Sequence, residues 1–261
     1  MTETLPTPLD VRLMNLTATL LFVIGAGLLL AAAGWWAARS PLFAIGRITV
    51  HGDMVHNNAV TLRANVMPSV GGNFFSVDLS RVRAAFEAVP WVRRAVVRRR
   101  FPNDLDVTLQ EQQPAAYWGA DDASTLLNDF GEVFIANTAE LVDTRLPHLS
   151  GPADQSADVL AMDRTLAPLF GPLGTELARL DLSAHGGWRA QLASGAVIEL
   201  GHGTPDVLVA RVRRFVRTLT PIASRYGLTA AALRTADLRY ADGYAIRLAG
   251  LTTVAPAPKK K

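Results

Sequence analysis

At 261 residues the chain is long enough for one or two hydrophobic cores, and with no cysteine it can build neither a disulfide framework nor a thiolate metal site. Its formal charge is only +3, and its lysines are confined to Lys259, Lys260 and Lys261, every other basic residue being arginine. A GC-rich coding bias accounts for that choice, so the basic balance is not a nucleic-acid footprint, which needs a basic face on a recognisable module.

No charged residue lies between Arg12 and Arg39, and residues 16–38 are apolar over a length that crosses a hydrocarbon core, which takes about 20 residues as a helix. Trp35 and Trp36 sit at the downstream end, where indole rings favour the headgroup level, and Ser40-Pro41 stops the helix. A cleaved signal peptide is the competing reading, since Ala31, Ala32 and Ala33 suit a peptidase. The apolar run is too long for that, and the n-region has Arg12 balanced by Glu3 and Asp10, so an uncleaved anchor is expected. Charge alone leaves orientation open, with Arg12 on one side and Arg39 and Arg47 on the other. A short tail, residues 1–15, followed by a large C-terminal region fits a cytoplasmic N-terminus, because long domains translocate largely regardless of charge.

After the anchor, residues 43–50 alternate as a strand, closed by turn chemistry at His51-Gly52-Asp53. A helix is expected from Asn58 to Val66. Gly71-Gly72-Asn73 breaks the chain, and Asp78 caps a second helix with Val82, Ala85, Phe86 and Val89 at i, i+3, i+4 and i+7. Residues 91–100 read as a strand, 101–104 as a turn, and Leu105, Val107 and Leu109 as the buried parity of another strand. The order is β-α-α-β-β.

Beyond Pro114 short strands alternate with Gly, Asn and Asp. Hairpins are expected over 126–134 and 188–200, with helices over 158–170 and 206–220, the latter carrying an apolar stripe of Val209, Val212, Phe215, Val216 and Leu219. Near the end, residues 238–248 place Asp242-Gly243 between two alternating runs, the sign of a hairpin with a two-residue turn. Ala255 to Lys261 has too little apolar content to fold, and 251–261 is expected to be a disordered tail.

Chemistry-bearing motifs are not apparent: the sequence has no H-E-x-x-H, G-x-S-x-G, S-x-x-K or Walker A pattern. The histidines at 51, 56, 148, 185 and 202 are scattered, so no metal site is expected. Asp121 and Asp122 are adjacent and point to opposite sides of an extended chain, which suits a loop better than an acid–base pair. No catalytic residue, cofactor or small-molecule substrate is assigned.

A series of motifs in order carries a resemblance. After the anchor come Gly-Asn-Phe-Phe-Ser-Val-Asp at 72–78 and Val-Pro-Trp-Val at 89–92, then Arg-Arg-Arg-Phe-Pro-Asn at 98–103 and Glu-Gln-Gln-Pro-Ala-Ala-Tyr-Trp at 111–118. They are followed by Gly-Glu-Val-Phe at 131–134, Leu-Pro-His-Leu-Ser-Gly-Pro at 146–152 and Asp-Leu-Arg-Tyr at 237–240. The chain closely resembles the FtsQ/DivIB family of bacterial cell-division proteins from the anchor to about Leu248. The resemblance implies an α+β architecture of a transmembrane helix (16–38), a POTRA domain (43–113) and a β-rich domain with flanking helices (114–250). It implies a single-pass protein of the cell inner membrane, with periplasmic domains, acting at the division septum. The function implied is a non-catalytic divisome scaffold that binds FtsB and FtsL and links other division proteins to septal peptidoglycan synthesis. FtsB would add to the terminal strand, at positions matching Tyr240, Asp242, Gly243, Tyr244 and Leu248, the last where relatives often carry tryptophan.

The residues themselves support an open edge there, since residues 244–248 carry Tyr, Ile and Leu with only Arg247 charged and none of the usual edge protection. Aromatic residues enrich strands whatever their role, so core filling competes with partner contact at Tyr240 and Tyr244. A second candidate surface is the arginine-rich strand with Arg93, Arg98 and Arg100, which suits acidic partners or lipid headgroups or is simply solvated. Rival readings are a POTRA-type assembly chaperone, which would need an outer-membrane barrel, and a periplasmic enzyme, which would need a pocket with convergent polar groups.

Overall fold

The structure is a computed structural model that describes residues 9–52, 54–56, 59–119, 124–141 and 145–251. Most of the N-terminal tail, Asp121-Asp122 and the C-terminal tail lie outside the described residues, as do Asp53 and Asn58. The chain divides into two compact units that part between Glu111 and Gln112.

Unit 1 opens with helix α1, Leu9–Ala38, which begins seven residues before the apolar stretch because Asp10 and Arg12 continue the same helical path. It is long and apolar enough to cross a membrane, and its apolar window is not buried by the rest of the chain. At about 1.5 Å per residue its 30 residues extend roughly 45 Å, the thickness of a bilayer with its headgroups.

The remainder of unit 1 has the expected order: β1 (Arg47–Gly52), α2 (Ala59–Val66), α3 (Leu79–Glu87), β2 (Val92–Arg100) and β3 (Asp104–Glu111). The strand expected from Phe43 begins later, because Pro41–Phe43 forms a 3-10 turn and Ala44 bridges to Asn73. The sheet order is β1-β3-β2, with β1 parallel and β2 antiparallel to the central β3. Leu105, Val107 and Leu109 turn one face of β3 onto Val82 and Phe86 of α3, which form part of the same buried cluster. Asp78 caps α3 by accepting from the backbone N–H groups of Ser80 and Arg81. Those bonds, led by the Ser80 side chain, hold its carboxyl below the usual carboxylate range. Gly52 has φ +112°, and a Cβ there would stand 2.1 Å from the Leu109 carbonyl oxygen, so only glycine fits where β1 leaves the sheet.

Unit 2 is one mixed sheet of nine strands with helices on one face. Its strands are β4 (Pro114–Trp118), β5 (Thr125–Asn128), β6 (Val133–Ile135), β7 (His148–Ser150), β8 (Leu177–Leu182), β9 (Trp188–Leu192), β10 (Val197–Gly201), β11 (Leu233–Asp237) and β12 (Ala245–Leu248). The helices are α4 (Ser156–Leu166) and α5 (Pro205–Ser224). The spatial order is β12-β11-β10-β9-β8-β7-β4-β5-β6, which leaves β12 and β6 as the edges. The hairpins expected over 126–134 and 188–200 form as β5-β6 and β9-β10. The helix expected to run to Phe170 is α-helical only to Leu166, because Pro168 has no N–H to donate, and it continues as a 3-10 segment that buries Phe170.

Strand parity separates the two faces of this sheet. Leu180, Leu182, Ala190, Ile198 and Leu200 are buried in the main core with α4 and α5. The other face carries a polar row in register across five strands, from Ser150 through Asp181, Arg189 and Glu199 to Asp237. Ser150 Oγ donates to Asp181 Oδ1 at 2.6 Å, and Arg189 Nε donates to Glu199 Oε1 at 2.7 Å.

Asp163 on α4 departs from this sorting. It is buried and its Oδ1 has no hydrogen-bond partner, and desolvation pushes its pKa up to about 6, against a relieving charge from Arg164. A folded-state pKa above the unfolded value of 3.8 means the native state holds the proton more tightly, so stability from this group is present below about pH 4 and lost as pH rises through about 6. Asp163→Asn should therefore raise the unfolding free energy near neutral pH by about 1–2 kcal/mol, with the gain vanishing near pH 4, as urea denaturation across that range would measure.

Candidate partner-binding site

The terminal strand is held in place by α5. Leu208, Val212, Phe215 and Leu219 are buried along one stripe of that helix, so its flanks face the segments that leave β10 and β11. Arg211 Nη1 donates to the carbonyls of Leu200 and His202, at 2.9 and 2.8 Å. One turn on, Arg214 Nη1 donates to the Ala241 carbonyl at 3.0 Å. The hydroxyls of Thr218 and Tyr244 share a hydrogen bond of 2.6 Å, and the Tyr244 ring stands edge-to-face on Phe215, with centroids 5.2 Å apart.

These contacts produce a connection different from the expected two-residue turn. β11 ends at Asp237 and β12 begins at Ala245, so residues 238–244 form a seven-residue loop. Leu238 is buried and its N–H donates to Glu199, while Arg239 folds back on Asp237 through Nε (2.9 Å) and Nη2 (2.7 Å). Gly243 is not among the glycines with positive φ, so the backbone conformation of a type I′ turn does not form. The Arg239 hydrogen bonds hold the Asp237 carboxyl below the usual carboxylate range, and the guanidinium pKa is raised in return.

The five candidate positions therefore have different surroundings. Tyr240 is 58% exposed on the loop, and Asp242 is exposed beside it. Gly243 and Tyr244 are half-buried, with Tyr244 turned onto α5. Leu248 is only 5% exposed and lies opposite Leu233 in the core. β12 pairs with β11 on one side, and among the described residues no strand pairs with the other, so a row of backbone donors and acceptors faces outward. Arg214 and Thr218 carry no local signal for this site, since only tertiary packing brings them onto a loop 27 and 26 positions away.

The second surface lies in unit 1. Arg98 and Arg100 are exposed on edge strand β2, opposite Asp106 and Asp104 of β3, while Arg93 sits at a bulge and reaches Gln110 Oε1 at 3.5 Å. The histidines make ordinary contacts, as with His56 stacked on Trp91 and His148 on Tyr117, and no metal-ligand cluster occurs among the described residues.

Comparison with known proteins assigns both units. Residues 43–112 match the model for the FtsQ-type POTRA domain, and residues 116–239 match that for the C-terminal part of cell division protein FtsQ/DivIB. The chain belongs to the FtsQ/DivIB family of cell-division proteins. It is 40% identical over 253 residues to the cell division protein FtsQ of Burkholderia pseudomallei, covering 97% of this chain and 98% of that protein. The FtsQ proteins of Thiomonas arsenitoxydans and Bordetella pertussis are each 38% identical to it, over 94% and 93% of this chain and 89% and 93% of their own lengths. The POTRA domain and β-rich unit of this FtsQ-family chain thus carry the two candidate surfaces on separate folding units.

Two stability effects follow from the loop's attachments. Tyr244→Phe removes a half-buried hydroxyl bond and should lower the unfolding free energy by about 1 kcal/mol in urea denaturation, whereas Tyr240→Ala should change it by less than about 0.5. Asp237 has a depressed pKa, so its contribution is present above its unfolded pKa and lost as pH falls through the lower folded one. Amide hydrogen exchange in β12 should accordingly quicken, relative to β9, only in acid.

Proposed function

We propose that this chain is a non-catalytic, bitopic inner-membrane scaffold of the divisome, with its N-terminus cytoplasmic, α1 in the membrane, and its POTRA domain and β-rich unit periplasmic at the septum. It binds FtsB, paired with FtsL, by adding a partner strand to β12, and so links other division proteins to septal peptidoglycan synthesis. The observation that carries this reading is the outward edge of β12 at the end of a nine-stranded sheet, beside the exposed Tyr240. Main-chain pairing supplies affinity in such an arrangement, and an exposed aromatic next to the edge supplies a side-chain contact.

One cleft, of about 590 Å³ between β1 and α2, is walled mainly by apolar side chains with Arg47 and Arg63, whereas a smaller one of about 350 Å³ is lined by the polar row of the sheet, where Asp181 accepts from Ser150, Glu199 from Arg189 and the Asp237 carboxylate from Arg239. Membrane anchorage is supported by α1, whose length and composition suit a single span.

The test is titration of the full chain in detergent with the extracytoplasmic part of FtsB–FtsL. Tyr240→Ala and Ala245→Lys should each weaken binding by about tenfold or more, equivalent to roughly 1.4 kcal/mol. Ile135→Lys on the opposite edge strand β6 should leave it unchanged. Loss of binding at Ile135 with retention at the other two would move the interface to β6, and wild-type affinity for all three would end the strand-addition reading.

A further inference from the structure

Three segments converge at the end of the POTRA sheet where the chain arrives from α1. They are residues 41–46, the 72–76 turn and the 100–103 turn between β2 and β3. The Phe74 N–H donates to the Phe43 carbonyl at 2.8 Å, Ala44 bridges to Asn73, and the Gly46 N–H donates to the Asn103 carbonyl at 3.0 Å. Asn73 Oδ1 accepts from the N–H groups of both Phe75 and Ser76, which fixes the turn that presents Phe74 and Phe75.

The result is a row of aromatic rings on the outside of the domain. Phe43 meets Phe75 at 5.0 Å between centroids, Phe75 meets Phe74 at 5.3 Å, and Phe74 meets Phe101 at 6.1 Å. Phe75 is 53% exposed and Phe101 75%, so two large apolar rings stand in the open on one rim. Arg47 and Arg100, both exposed, flank them at the first position of β1 and the last of β2. Asp78 nearby directs its carboxylate onto the N–H groups of α3.

Distance along the chain determines what can cover this rim. Phe43 is five residues beyond Ala38, a reach of about 17 Å if fully extended, and the Pro41–Phe43 turn shortens it. Trp35 and Trp36 are exposed on the last turn of α1, and the Arg39 guanidinium lies 3.8 Å from the centre of the Trp35 ring, the pairing of a helix end at the lipid–water boundary. The aromatic rim is therefore confined close to the surface of any bilayer that α1 crosses. We propose that this rim sits in the headgroup layer of that bilayer, with Phe75 and Phe101 inserted among the lipids and Arg47 and Arg100 facing their phosphates. The inference rests on the membrane-anchor reading of α1. It makes the POTRA domain a membrane-seated body with a set tilt rather than one swinging on a tether.

Because the chain has no cysteine, single substitutions take one fluorophore each. The full chain, labelled with NBD at Gly25→Cys, Val55→Cys, Phe75→Cys or Phe101→Cys, is reconstituted in phosphatidylethanolamine–phosphatidylglycerol vesicles containing lipids brominated either near the headgroup or near the chain ends. Val55 is the control, exposed beyond the opposite end of β1, about 20 Å from the rim at the rise of a strand. Labels at 75 and 101 should be quenched by shallow bromines at least about threefold more than the label at 55, and the label at 25 by deep bromines. Phe75→Asp in the chain labelled at 101 should cut the shallow quenching by about half. Deep quenching at 25 with equal, weak quenching at 55, 75 and 101 would overturn the seated rim and leave the anchor standing. Absence of deep quenching at 25 would remove the anchor itself, and the inference with it.

Discussion

Because Leu208, Val212, Phe215 and Leu219 can leave water only by facing the sheet, α5 has essentially one permitted rotation about its axis, and that rotation decides what its flanks can reach. Arg211 then meets the carbonyls at the end of β10, Arg214 meets Ala241, and Thr218 meets Tyr244. The bonds from Arg214 and Thr218 satisfy polar groups that the loop would otherwise leave to water, and with them the chain is brought back beside β11. The edge strand is thus a consequence of helix packing, since a four-residue strand has too few ladder bonds to hold its own position.

The open face of the same sheet shows why an interface at its edge is more plausible physically than one at its centre. Ser150, Asp181, Arg189 and Glu199 consume one another's hydrogen-bonding capacity, and Arg239 returns to Asp237 on the same row. A partner laid across that face would have to break charge-assisted bonds and desolvate both members, which seldom yields a net gain. A partner at the edge completes backbone groups that have only water to meet.

Where local pattern and tertiary packing agree, the sequence was sufficient. The alternation of Leu105, Val107 and Leu109, the Asp78 cap with its apolar spacing, and the hairpin over 188–200 each select one structure without help from distant residues. Residues 238–248 were misread as a short hairpin because Asp-Gly carries strong local turn chemistry, and nothing nearby in sequence reveals that Arg214 and Thr218 will hold the loop open. β7 has three residues, too few for any period, and exists because β4 and β8 pair with it in parallel on either side. In the candidate site, the exposure of Tyr240 and the burial of Leu248 could not be separated by parity, since an irregular loop and a register shift lie between them and their neighbours.

That burial changes how Leu248 is to be understood. A side chain facing Leu233 is sized by the core around it, so a change of size at 248 alters a volume inside the unit and leaves the outward hydrogen-bond row of β12 intact. Strand addition reads backbone first and side chains second, and only side chains on the exposed parity or in the adjoining loop can meet the added strand. Ala245, Arg247 and Tyr240 satisfy that condition, whereas Tyr244 and Leu248 keep the edge in place. The proposed site therefore divides into residues that could meet an added strand and residues that seat β12, and a substitution in the second group would act on the proposed binding by unseating the strand.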